Sequence, residues 1–205
     1  MIPERFVTEY PLRCRQLLDM LEGPAREADL VGSFALLVAS AAFTIPFSRM
    51  VEKAHVLGRP EEKLYDAIEG LKKQSFADAD FWSGAKPGFF RYAKIVTDAE
   101  KSARWRNEKG EHPLSSSEMK DANAVLRTIR NSLAHGNVVY LDKNGNESAG
   151  NRLAYLAFLS RHEKGDGYRV AIFDEETFLA FLKAWIRWLQ TFPAERELKF
   201  AEAAE

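Results

Sequence analysis

The chain reads as a mainly α-helical bundle with a small antiparallel β-meander before its last helix. Three observations predict this. Apolar residues recur at steps of three and four over several stretches, the period of a helix with one buried stripe. Glycine and proline breaks separate those stretches. Between Val138 and Phe173 the pattern changes to short β-rich runs divided by turn residues.

A helix is expected over about Glu9–Glu22, with Leu12, Leu17, Leu18 and Leu21 inward and Gly23-Pro24 as its stop. Asp29 is placed to cap a second helix running to about Leu57, kinked or divided at Pro46. Gly58-Arg59-Pro60 breaks the chain, and Pro60 opens a helix carrying Leu64, Ala67, Ile68 and Leu71. Residues 77–90 are irregular, after which Tyr92, Ile95, Val96, Ala99 and Ala103 restore helical spacing. Asn107–Pro113 reads as a polar loop.

The stretch from Ser115 to Tyr140 organises the rest. Ser115 and Glu118 have capping-box spacing, and Met119, Ala122, Leu126, Ile129 and Leu133 draw one apolar stripe. Gly136 supplies the left-handed residue that closes a helix. Val138–Leu141, Leu153–Leu159 and Tyr168–Phe173 then read as three strands, with turns at 142–151 and 163–167. Asp174-Glu175-Glu176 opens the last helix, which turns Phe178, Leu179, Leu182, Trp185, Ile186 and Leu189 inward and ends at Pro193. Residues 1–192 are expected to form a single domain and 193–205 a frayed tail.

Composition narrows the function classes. At 205 residues, 46% hydrophobic and 29% charged, the chain can bury a sizeable core. Its net charge of −1 gives no global basic field, so any nucleic-acid binding must come from a local patch. The single cysteine, Cys14, excludes an internal disulfide and fits a reducing, cytoplasmic setting. The N-terminal residues carry no basic-then-apolar secretory pattern. Leu30–Phe47 holds eighteen uncharged residues, but its serines, threonine and proline favour a buried core helix over a membrane span. His55, His112 and His162 lack ligand spacing, so no metal or other cofactor is expected.

Arg130, Asn131 and His135 gather in the last turns of the motif helix. Cations there are favoured by the helix dipole alone. The run Arg130-Asn131-x-x-x-His135-Gly136-Asn137, at the end of a capped, striped helix, resembles the signature of the HEPN superfamily. The resemblance implies a helical HEPN-like domain that pairs as a homodimer. It also implies a metal-independent endoribonuclease in which Arg130, His135 and Asn131 serve RNA cleavage. A toxin or defence role with a cognate antitoxin is implied too. Some HEPN toxins carry a tyrosine two residues after the histidine, which their partner modifies; here that position is Asn137. On one helix Arg130 and His135 lie about 140° apart, so convergence needs long side chains or a two-fold axis.

Lys86–Lys109 interleaves basic and aromatic residues. Arg91, Lys94, Arg104 and Arg106, together with Arg127 on the motif helix, are candidate RNA contacts. The other reading of Lys86–Lys109 is a solvated helix with a buried aromatic face. Two further functions stay open: a non-catalytic HEPN-like module that binds nucleotide or RNA or scaffolds a dimer, and a helical protein-interaction adaptor.

Overall fold

The computed structural model describes residues 6–51, 62–97, 100–148, 153–161 and 167–192. The expected breaks at Gly58-Arg59-Pro60 and Pro193, the turn around Gly165 and the frayed tail lie outside these residues, as do Leu57, Ala99, His55 and His162. The expected class is the observed one: a mainly helical protein with an antiparallel sheet before the C-terminal helix.

α1 (Phe6–Glu27) runs straight through Gly23-Pro24. Its far end is tied down by charge: Arg26 pairs with Glu22 at 2.8 Å and with Glu176, and Lys183 reaches Glu22 at 2.5 Å. From Tyr10 onward, the buried residues of α1 are Pro11, Cys14 and Leu18, spaced three and four apart; Leu12, Leu17 and Leu21 face out. The four leucines expected inward span too wide an arc for one stripe at 100° per residue. Asp29 does not cap the second helix. It takes a left-handed φ of 56° at the α1 exit, and Glu175 instead accepts the Gly32 N–H at 2.8 Å.

α2 (Val31–Ala39) continues through a π-helical turn, Ser40–Thr44, into α3 (Ile45–Val51). Pro46 has no N–H to give the carbonyl four residues back, and the wider turn sits where that bond is missing. Val31–Ser48 is long and apolar enough to cross a membrane by composition, with half of it buried within the protein. Ala35, Ala39, Ala42 and Phe43 are fully buried. Small residues let α2 lie close to α6, and Phe43 packs edge-on to Trp185 at 5.3 Å.

α4 (Glu62–Gly70) leads into 3-10 turns that set Phe76, Phe81 and Trp82 in the core. The expected helix over 92–103 is absent. Phe90–Ile95 is a strand, β1, and residues 100–120 are largely irregular. Tyr92 faces the helices while Ala93 and Ile95 face the opposite side, so period two, not 3.6, governs this run.

α5 (Ala122–His135) is the motif helix. Its cap is Asp121, which accepts the Ala124 N–H at 2.8 Å, not Ser115. Gly136 closes it at φ 69°, as expected. Met119 lies ahead of the helix and is 90% exposed, so the stripe begins at Ala122. Ser117 and Glu118 bind β1 instead. The Tyr92 N–H donates to Ser117 Oγ (3.1 Å), Glu118 N–H to Tyr92 O (2.8 Å), and Lys94 N–H to Glu118 Oε1 (3.3 Å). These groups close the outer edge of β1, where unpaired backbone would otherwise invite another strand.

β2 (Val138–Leu141), β3 (Tyr155–Arg161) and β4 (Tyr168–Phe173) form the expected meander, and β1 joins it to give four antiparallel strands in the order β1-β4-β3-β2. One face carries Tyr92, Leu156, Phe158, Ala171 and Phe173 against the helices. The other carries Ala93, Ile95, Ala157, Leu159, Val170 and Ile172 beneath the irregular segment, whose Trp105 is fully buried. α6 (Glu175–Leu189), capped by Asp174, turns all six expected apolar residues inward.

Candidate functional site

Ser132 docks the end of α5 on the sheet. Its buried hydroxyl lies 2.7 Å from the Thr128 carbonyl within the helix and 2.7 Å from the Leu159 carbonyl of β3. The turn beyond is pinned too: Asn137 N–H donates to Ser132 O, and Leu159 N–H to Asn137 O. The last turn of α5 and the start of β2 are therefore fixed against β3.

Arg130 and Asn131 grow out of this fixed turn. Arg130 donates through Nε to Ser48 Oγ on α3 at 2.8 Å, and through Nη1 to Asn131 Oδ1 at 2.9 Å. The Asn131 amide then donates to Ser160 Oγ on β3 at 3.3 Å. Opposite ends of one amide thus meet a cation and a hydroxyl, which fixes its orientation. The half-buried guanidinium is positioned by α3, α5 and β3 together. His135 is exposed on the final turn, and Arg127 is half-buried one turn before Asn131. Arg130 and Asn131 are brought together; His135 stands apart on solvent.

The basic residues of the irregular region divide. Arg91 turns to the loop-covered face, where it donates to Phe90 O and lies 4.6 Å from the Phe89 ring centroid. Arg106 donates to the Ala103 and Trp105 carbonyls, and Arg104 is exposed in the same segment. Lys94 alternates to the helix-packed face and pairs with Glu108 at 2.9 Å. Tyr92 and Trp105, two of the aromatics interleaved in Lys86–Lys109, are fully buried and offer no face to a base. The solvated-helix reading of this region falls with the strand at Phe90–Ile95.

The pattern of the sequence did not single out Ser48 or Ser160. Ser160 could have been found from strand alternation, as the polar residue that continues the Leu156, Phe158 face. Ser48 has no such signal, because its position follows from the π turn. Cys14 is buried, and burial raises its thiol pKa, in keeping with a packing role. Among the described residues, no three His, Cys, Asp or Glu side chains gather as metal ligands.

The chain, a helical domain packed on a small sheet, belongs to the HEPN superfamily. The particular family is the one described as HEPN pEK499 p136, whose model matches residues 1–196, and the chain is a member of it. No curated protein and no solved structure matches.

Proposed function

We propose that the protein is a metal-independent endoribonuclease that cleaves RNA through attack of a ribose 2′-OH on the adjacent phosphorus. The observation that carries this reading is the Arg130 guanidinium, held by Ser48 and Asn131 on the same helix end as an exposed histidine. A guanidinium held in orientation suits the added negative charge of a pentacoordinate phosphorane. His135 takes the 2′-OH proton or protonates the departing 5′-oxygen. The O2′–P bond forms as the P–O5′ bond breaks, leaving a 2′,3′-cyclic phosphate and a 5′-OH. Asn131 positions Arg130.

His135 and Arg130 diverge on one helix, so two copies related by a two-fold axis are the economical way to set a histidine opposite an arginine. The working unit in this reading is a cytoplasmic homodimer, acting as a toxin or stress effector restrained by an antitoxin. Incubation of the purified protein with total RNA and EDTA, followed by analysis of product ends, tests the chemistry. Cyclic phosphate ends from the wild type, and none from His135→Ala at unchanged thermal stability, are expected. Exposed His135 packs little, so its loss should change stability by about 1 kcal/mol or less. RNA binding without cleavage would instead favour a non-catalytic HEPN-like module.

A further inference from the structure

The helix-packed face of the sheet ends in a polar row that leads away from Arg130. In the strand register Lys94 of β1 lies opposite Arg169 of β4, and Arg169 lies opposite Ser160 of β3. Directly paired residues share a face, with Cβ atoms about 5 Å apart. Ser160 accepts from Asn131, which accepts from Arg130. The row therefore continues from the candidate site across three strands: Arg130, Asn131, Ser160, Arg169, Lys94.

Arg169 is half-buried, on the face it shares with Ala171 and Phe173. Its charge acts on the hydroxyl of Tyr92, which lies beside Thr128 of α5. Arg127 adjoins Thr128 in the chain and precedes Asn131 by one turn. Acids stand here too: Glu108 pairs with Lys94, Glu118 accepts from the Lys94 backbone, and Glu118 and Asp121 both act on the Tyr92 hydroxyl. The Glu108 pair is exposed and of little worth, so an incoming phosphate can displace it.

We infer that Arg169, Lys94 and Arg127 form a second phosphate-binding track that holds the RNA strand beside the scissile bond. This rests on the ribonuclease reading above. The one step of about 5 Å between Arg169 and Lys94 approaches the spacing of successive phosphates in an extended single strand. Arg91, Arg104 and Arg106 take no part, being on the loop side.

The test uses a labelled single-stranded oligonucleotide with every 2′-OH methylated, titrated by fluorescence anisotropy from low to high KCl. Cleavage of unmodified RNA is followed in parallel. For a single strand, each phosphate that the protein no longer neutralises lowers the log–log salt slope by about 0.7. Arg169→Gln with Lys94→Gln should therefore flatten the slope by about 1.4 and weaken binding at low salt at least several-fold. Arg169→Lys should keep most of the slope. A double variant matching the wild type in slope and affinity overturns the track, even if cleavage persists and the ribonuclease reading stands. A wild type that fails to bind also overturns it. Arg169-dependent binding without cleavage supports the track and sinks the ribonuclease reading instead. Should Arg169→Gln melt early, Lys94→Gln on the sheet edge carries the same test, with a slope change of about 0.7 expected.

Discussion

Arg130 meets its surroundings as a fork, with Nε on Ser48 and Nη1 on Asn131. Lysine keeps the charge but offers one compact group on a mobile stem, so it cannot hold both partners and still face a phosphate. Arg130→Lys should lower the cleavage rate on the order of 10²-fold, the usual cost of removing a transition-state donor. Oligonucleotide affinity should fall far less; near-full activity would assign Arg130 only background charge. His112 offers a second test, this one of stability. Its Nδ1 accepts the Leu114 N–H at 3.2 Å and its Nε2 lies 3.0 Å from the Ser102 carbonyl, so the neutral ring donates through Nε2. Burial, the largest cause, lowers its pKa below the ordinary value near 6.5. The unfolded chain then binds a proton more readily than the folded one. Stability is complete above about pH 6.5 and declines as pH falls towards the lowered folded value. Urea unfolding between pH 7.5 and 5 should show that decline, and His112→Gln should flatten it.

At the scale of elements, helix boundaries were legible where they depended on backbone chemistry and illegible where tertiary contacts chose among options. Asp174 and Gly136 are a cap and a closing residue by local rules, and both are used so. At the α5 entrance two caps compete, and Asp121 wins because residues 74–76 bind the segment leading to it: Phe76 N–H donates to Lys120 O, and Ala122 N–H to Gln74 O. That extended segment places the helix start after Lys120. Asp121→Ala should therefore cost about 1 kcal/mol in denaturant unfolding, while Ser115→Ala should be close to neutral; equal losses would put the start back at Ser115. The run from Tyr92 reads as a helix for a related reason. Its apolar residues fit a 3.6 period, but the sheet buries both faces of β1, and a strand covered on both sides loses clean alternation. The motif residues were legible, whereas Ser48 was not, because a π turn aims it from a helix distant in sequence.

Across the whole molecule, the sheet ties distant parts of the chain together. β1 precedes the motif helix, yet pairs with β4 beyond it, so α5 and the candidate site are enclosed between two strands that meet late in the sequence. Pairings so remote carry a large loop-closure cost and slow folding. The same arrangement leaves β1 and β2 as the two edge strands of the sheet. The closure of β1 by Ser117 and Glu118 then matters in a colloidal sense. Fibril growth proceeds by templating a new strand on a bare edge, and here the Tyr92 amide and carbonyl are already bonded. On the far side, Ser148 N–H donates to Tyr140 O, and Glu147 bridges Leu141, so β2 is shielded at that end as well. Replacing Ser117 and Glu118 together by alanine should bring forward turbidity and thioflavin-positive growth at 37 °C in a protein that still melts as one transition. Unchanged lag times would show that the edge was never a seed. A sheet sealed by side chains can stay dispersed without a basic or acidic surplus, which a chain of net charge −1 lacks.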